Sequence, residues 1–298
     1  MYNYTFIIPH KNCPDLLQRC VDSIPERDDV QVIVIDDNSD VDKKPLINRA
    51  DVEVILLDAT QSKGAGRARN EGMKRAKGKW LLFADCDDFY AEGFLHVLDR
   101  YKDSDLEALY FNASSVDSRT MKATSGRVRP LNTMVENSLD DEEAFFKLRC
   151  FYNAPWAKMT RRAFIVEQEI LFEETLNGND MMYSHYVGCL AKKCAVIADE
   201  LYIYTTSNNG LSDQKSMIDA WLSRINNNYK QREYLRFIGH PEWKDTSFVH
   251  FYCRFFKYRP LVGIKVLFNH YKNKDKFGND KMKYVNFLKA HGYEGNII

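Results

Sequence analysis

Apolar residues recur along this chain in two rhythms. Tyr4 to Ile8, Val30 to Ile35, Val52 to Leu57 and Trp80 to Ala84 are short β-branched or apolar runs bounded by polar residues, the pattern of strands. Between them the spacing changes to that of helices: Leu16, Leu17, Cys20, Val21 and Ile24 form one stripe, and Ala65, Ala68, Gly72, Met73 and Ala76 another. The second stripe is made of small residues, which lets a helix lie close on a sheet. Alternation of strand and helix predicts an α/β fold with a mostly parallel sheet and flanking helices. Leu106 to Ser115 reads as a further strand, and Asp140 to Arg149 as a helix with acids at its positive end. Beyond Tyr204 the polar cluster Thr205 to Gly210 gives way to helical stretches rich in Tyr, Phe, Lys and Arg. This places a catalytic-size domain at 1–213 and a helical, basic and aromatic extension at 214–298.

Composition alters this picture little, but charge distribution sharpens it. The 298 residues are 45% hydrophobic and 28% charged with zero formal net charge, so whole-chain electrostatics select no partner. From Lys215 to Ile298, however, sixteen Lys and Arg stand against seven Asp and Glu, which makes the extension basic and the preceding part acidic. The basic residues are interspersed with apolar ones rather than forming a dense stripe, which argues against nucleic acid as a partner. Seven cysteines contain no Cys-x-x-Cys pair, so neither a zinc cage nor a disulfide framework is expected, and Cys86 reads as a small filler. A reducing cytosol fits this usage. The chain opens without the pattern of a signal peptide, and no run reaches bilayer-spanning length.

Candidate chemistry gathers at the predicted strand ends. Asp85-Cys86-Asp87-Asp88 follows the run Trp80 to Ala84, and acids crowded at that place repel unless a hard cation and phosphate oxygens offset them. Asp36-Asp37-Asn38-Ser39-Asp40 follows the second strand; it is either a turn using local Asx bonds or a carboxylate that selects a nucleoside. Gly64-Ala65-Gly66-Arg67-Ala68-Arg69-Asn70 opens a helix, with Arg69 in reach of phosphate or of an acid. As a dinucleotide fingerprint the segment fails, because Arg69 stands where the third glycine belongs. Asp180, in Asn177-Gly178-Asn179-Asp180, either caps a helix or serves as a rigid general base. The seven histidines show no metal-ligand spacing and read as surface or packing residues.

Taken together, Ile7-Ile8-Pro9, Val34 to Ser39, Gly64 to Gly72 and Phe83 to Asp88 resemble the family-2 glycosyltransferases in content, order and spacing. The resemblance is concentrated in about the first 90 residues and continues more loosely to Ser212 through Trp156-Ala157-Lys158 and Asp180. It implies a GT-A fold, a nucleotide-sugar donor, a UDP-sugar foremost, and inversion at the anomeric carbon. Pro9, Asp37, Lys63 and Arg69 match positions lining the nucleoside and diphosphate pocket, and Asp85 the acid near ribose or metal. Asp87 and Asp88 match the acids that hold Mn²⁺ or Mg²⁺ and diphosphate, and Asp180 matches the general base. The chain departs from the family where Asn179 replaces a Glu, Lys11 a Tyr and Ser62 an Asn, and where the closing loop at Thr205 to Ser212 lacks an Arg.

The function so implied is metal-dependent sugar transfer to a saccharide or lipid-linked saccharide during cell-surface polysaccharide synthesis. Two other readings are a non-catalytic carbohydrate-binding protein, suggested by Asn179, and a sugar-phosphate nucleotidyltransferase, whose Gly-rich basic loop is missing at His10 to Pro14. The basic aromatic stretch Phe251 to Arg259 is either an inner-membrane surface contact or a packed helical subdomain.

Overall fold

Strand β1 (Tyr4–His10) and strand β2 (Val30–Asp36) are buried at every position, as expected of strands covered on both faces. They run parallel in the computed structural model of the chain, with Tyr4 opposite Val30 and His10 opposite Asp36. Strand β3 (Val52–Leu56) lies parallel to β2 at the sheet edge, and β4 (Trp80–Phe83) parallel to β1 on the other side. Helix α1 (Pro14–Asp22) follows β1, and α2 (Ala65–Arg75) crosses from β3 to β4. This half has the alternation that the hydrophobic spacing predicts.

The second half departs from parallel order. Eight strands form one sheet in the order β3-β2-β1-β4-β7-β6-β8-β5, with β5 (Phe89–Tyr90), β6 (Ala108–Asp117), β7 (Lys158–Arg161) and β8 (Cys194–Thr206). Strand β7 is antiparallel to both β4 and β6, β8 is parallel to β6, and β5 is antiparallel to β8. The sheet is therefore mixed. Helix α3 (Phe94–Asp99) follows β5, α4 (Arg129–Asn137) and α5 (Glu142–Phe151) lie between β6 and β7, and α6 (Arg162–Glu167) and α7 (Asn179–Leu190) between β7 and β8. Helix α5 is the acid-rich helix of the sequence, and its Asp141 caps it by accepting from the Ala144 N–H at 2.9 Å.

The small-residue stripe of α2 has a direct packing reason. A Cβ at Gly72 would stand 2.5 Å from Ile7 Cγ2 and 2.8 Å from Ile35 Cδ1, so the helix rests on β1 and β2 only because that position carries no side chain.

One cysteine expectation is corrected. Cys13 and Cys86 are joined as a disulfide, although no framework is visible in their spacing and Cys86 reads as a filler. The parallel pairing of β1 with β4 brings their C-terminal ends together, and a separation of 73 residues hides that proximity. Cys20, Cys150 and Cys194 form no disulfide among the described residues.

The structure describes residues 1–61, 64–124, 128–175 and 178–206, and the helical positions 227, 228, 230, 231, 235, 260, 261, 264 and 268. Two compact units divide the chain, Met1–Thr175 with Asn179–Gly210, and Leu176–Gly178 with Leu211–Ile298. Among the described residues no helix is long and apolar enough to cross a membrane.

Candidate active site

Parallel strands place their C-terminal ends on one rim, where ligand crevices of α/β sheets open. At that rim His10 and Asp36 end paired strands, and the His10 Nδ1 lies 2.8 Å from Asp36 Oδ1 with both side chains buried. Ser39 donates its hydroxyl to the same Asp36 oxygen at 2.5 Å and its N–H to Oδ2 at 3.1 Å. Asn12 and Asn38 adopt φ of +58°, the left-handed region that Asn tolerates, and turn both chains out of the sheet. The Asn12 N–H then donates to Ser39 Oγ at 2.9 Å.

Asp37 follows directly and is buried. Its N–H donates to the His10 carbonyl at 2.9 Å, and its Oδ2 accepts from the Gly64 N–H at 3.1 Å and lies 3.5 Å from Lys11 Nζ. Gly64 holds φ of +85° at the N-terminus of α2, so a side chain there would be strained. Lys11 thus supplies an ion-pair partner to Asp37. Pro9 is buried in β1. The pairing of β1 with β4 stops at Ile7 and Phe83, so a residue lacking an N–H leaves no ladder bond open on that side.

The acidic loop after β4 is staked from several directions. Asp88 is buried with both oxygens engaged: Tyr202 donates its hydroxyl to Oδ2 at 2.9 Å, and the Thr205 N–H donates to Oδ1 at 2.7 Å. Burial, and then the charges of Asp85 and Asp87, push the Asp88 carboxyl well above the usual range. The Tyr202 hydroxyl also accepts from the Asp85 N–H at 3.0 Å, and Trp156 stacks on its ring at 4.7 Å. The Asp87 carbonyl accepts from Arg19 at 2.7 Å and from the Thr205 hydroxyl at 2.6 Å. With the Cys13–Cys86 disulfide, these contacts fix a loop whose Asp85 and Asp87 side chains are only half-buried.

Arg69, buried in the first turns of α2, reaches this loop by donating Nη2 to Asp85 Oδ1 at 2.5 Å. Its Nη1 donates to Asn179 Oδ1 at 2.8 Å, which links the acidic loop to the start of α7. Asp180, half-buried, is the next residue of that helix. Lys158 is wholly buried and donates Nζ to the Tyr152 carbonyl at 2.6 Å. Burial pulls its pKa down to about 7 against the opposing pull of the Asp180 charge.

Among the described residues no group of three or more His, Cys, Asp or Glu could hold a metal by itself. Asp85 and Asp87 are the carboxylates of the loop not enclosed as Asp88 is. Two hard oxygen donors suit Mg²⁺ or Mn²⁺, which take one or two protein carboxylates and complete their shell with phosphate and water. The residues thus fit such an ion when a diphosphate accompanies it.

The structure brings Pro9, Asp37, Arg69, Asp85, Asp87 and Asp88 into one rim region, with Asp180 joined to it through Arg69 and Asn179. Lys63, Ser62 and Asn177 lie outside the described residues, as do most of the closing loop from 207 and the stretch 251–259. Sequence reasoning missed Arg19, His10, Tyr202 and Thr205. Nothing in the chain marks Tyr202 and Thr205, because their role depends on β8 joining the sheet. His185 is the packing residue expected, buried with Nδ1 3.0 Å from the Cys150 carbonyl.

Comparison with known proteins adds to this geometry. The family model described as Glycosyl transferase family 2 matches residues 5–162. The poly(ribitol-phosphate) beta-N-acetylglucosaminyltransferase TarS of Staphylococcus aureus is 26% identical over 219 residues, covering 70% of this chain and 36% of that protein. The UDP-Glc:alpha-D-GlcNAc-diphosphoundecaprenol beta-1,3-glucosyltransferase WfaP of Escherichia coli is 34% identical over 89 residues, 29% of this chain and 36% of that protein. The chain therefore covers about a third of the length of these curated relatives. Among solved structures, residues 1–349 of S. aureus TarS in complex with UDP-GlcNAc superpose with a TM-score of 0.53 at 17% identity, covering 97% of this chain and 80% of that one. That likeness shows a shared fold.

Proposed function

The chain belongs to glycosyl transferase family 2, and from that premise we propose that it moves a sugar from a UDP-sugar to a hydroxyl of a saccharide or lipid-linked saccharide, with inversion at the anomeric carbon. The observation that carries the reading is the joining of Asp85 on the acidic loop to the first turn of α7 by the Arg69 guanidinium. Donor-side and acceptor-side acids thereby belong to one constellation. TarS, crystallised with UDP-GlcNAc, and WfaP, named for UDP-Glc and a diphosphoundecaprenol-linked sugar, support the donor and acceptor classes.

In this reading Asp37 accepts a hydrogen bond from the nucleoside base, a role for which its bonds to Gly64 and Lys11 orient it. Arg69 meets the diphosphate through the charge-assisted hydrogen bonds that guanidinium favours. Pro9 adds to the nucleotide pocket, and the family resemblance assigns Lys63 to the same role. Mn²⁺ or Mg²⁺, held by Asp87 and Asp85, would neutralise charge gathering on the leaving nucleoside diphosphate. Asp88 keeps the loop in shape from behind, with Tyr202 and Thr205 on its oxygens. Asp180 removes the proton of the acceptor hydroxyl as that oxygen attacks the anomeric carbon from the face opposite the diphosphate.

An amide at 179 favours a non-catalytic reading only while it has no function of its own. Its bond to Arg69 supplies one. We further assign cell-surface polysaccharide synthesis on the cytoplasmic side of the inner membrane, with peripheral contact through the extension at 214–298. Within that extension Leu261, Ile264 and Phe268 are exposed at helical positions.

The test is release of UDP from a panel of UDP-sugars with Mn²⁺ present, with and without saccharide acceptors. Turnover of at least one donor is the expected result. No turnover, together with no heat on titrating UDP and Mn²⁺, would remove the proposal.

A further inference from the structure

Arg69 divides its guanidinium between residues 94 positions apart in the chain. Nη2 serves Asp85 at 2.5 Å and Nη1 serves Asn179 at 2.8 Å, and the group is buried. Asn179 is itself anchored, donating Nδ2 to the Thr175 carbonyl at 3.3 Å. A turn earlier on α2, a Cβ at Gly66 would run into the Glu173 carbonyl oxygen and stand 2.9 Å from Asn179 Cβ. The start of α2 and the start of α7 are thus in direct contact, and the glycine is what permits it.

Neighbouring contacts keep this joint stiff. The Arg69 guanidinium lies over the Phe172 ring at 5.2 Å, and Phe172 stacks on Tyr183 of α7 at 3.9 Å. Asn70 bonds both backbone groups of Phe172, each at 2.9 Å. Among the described residues Arg69 thus reaches α7 twice, directly at Asn179 and through Phe172 at Tyr183.

Charge explains why an amide suits this place. Asn179 offers Arg69 an acceptor oxygen without adding a negative charge, so among the described residues Asp85 is the carboxylate paired with this guanidinium. A carboxylate at 179 would add a second one beside Asp180, close to where an anionic diphosphate must enter. Resting on the glycosyltransferase reading, we propose that Asn179 is a positioning residue. Through Arg69 it holds Asp85 on the donor side, and through its place in α7 it holds Asp180 on the acceptor side, so that the two acids keep a fixed register.

The experiment is steady-state kinetics of UDP release on Asn179→Ala and Asn179→Asp, with double-mutant unfolding cycles of Asn179→Ala against Arg69→Met. Loosened register should lower kcat of Asn179→Ala by roughly ten- to a hundredfold and leave the donor KM within about threefold. Asn179→Asp restores the acceptor for Arg69, so it should recover most of kcat while raising the donor KM, more strongly at low salt than at high salt. The unfolding cycle should be non-additive, since the two side chains touch. Should Asn179→Ala not fold, Asn179→Ser carries the same comparison. Unchanged kcat in a protein that turns over UDP-sugars would overturn the positioning role and leave the glycosyltransferase reading standing. Additive unfolding effects would overturn the contact whatever the kinetics, and a native protein that neither turns over nor binds a UDP-sugar would remove both.

Discussion

His10 and Asp36 close the ends of two parallel strands with a buried bond, Nδ1 to Oδ1 at 2.8 Å. The Cys13 N–H donates to His10 Nε2 at 3.2 Å, so Nε2 is an acceptor and the ring proton sits on Nδ1, where it is given to Asp36. The neutral imidazole therefore spans the turn after β1 and the turn after β2, and the second turn begins at Asp37. The first reaches the acidic loop by the Cys13–Cys86 disulfide. One side chain thus helps to hold both halves of the proposed donor pocket.

Replacing His10 by Ala leaves the buried Asp36 carboxylate with Ser39 but without its ring partner. Loss of a buried hydrogen bond to a charged group costs about 2 kcal/mol, and urea unfolding should show a decrease of that size. UDP binding measured by calorimetry should weaken as well, because Asp37 loses its fixed neighbour. Native stability together with native UDP affinity in His10→Ala would show that the pair has no organising role.

Asp87 and Asp88 are adjacent but should respond oppositely to substitution. Asp88→Ala removes the acceptor for both Tyr202 and Thr205 and should destabilise the fold by about 2–3 kcal/mol, the cost of orphaned buried donors, less what is regained by removing a buried acid. Asp87→Ala leaves its backbone carbonyl bonded to Arg19 and Thr205, and its side chain is only half-buried, so it should destabilise the fold less than Asp88→Ala does. UDP-sugar turnover should nevertheless fall below detection in Asp87→Ala at any Mn²⁺ concentration. Thermal melts and UDP release on the two variants decide the matter; a turnover loss confined to Asp88→Ala would reverse the assignment.

Lys158 gives a pH signature. An unfolded chain holds this proton up to pH near 10.5, whereas in the fold the ammonium titrates near 7. Between those values the unfolded state binds more protons, so this residue makes stability rise with pH across that window, and its full cost is present below pH 7. Lys158→Met removes that cost and also the bond to the Tyr152 carbonyl, which is worth about 1 kcal/mol. The variant should accordingly be the more stable protein at pH 6, with that advantage shrinking to nearly nothing by pH 10. Unfolding free energies that differ by a constant amount at both pH values would mean that the lysine is not desolvated in solution.

Much of the donor half was legible from residue order alone. Strand and helix alternation through Phe83, the small stripe of α2 and the acids at 37 and 85–88 are local patterns, and local patterns survive in a sequence. The supports of those acids are not local. Tyr202 and Thr205 reach Asp88 from a strand more than a hundred residues later, in a ladder with β6 whose register shifts near Asn112. Arg69 meets Asn179 across 110 residues, and the disulfide joins cysteines whose strands pair only in space. A change from parallel to antiparallel neighbours at β7 carries no hydrophobic period of its own, because Lys158 occupies a fully buried place in that strand.

Membrane contact is the last consequence of the proposed acceptor. Leu261, Ile264 and Phe268 are exposed at helical positions, and the sequence from Lys215 onward carries more than two basic residues for each acidic one. Exposed apolar side chains and nearby cations suit an anionic bilayer surface, with each basic residue near the surface contributing about 1 kcal/mol. The native protein should therefore sediment with vesicles containing phosphatidylglycerol at low salt and less with purely zwitterionic ones. Replacing Leu261 and Phe268 by Glu should abolish sedimentation while leaving turnover of a water-soluble acceptor intact, since neither residue belongs to the sheet-rim site. Equal sedimentation of native and doubly substituted protein would separate the extension from the membrane and leave lipid-linked acceptors without this support.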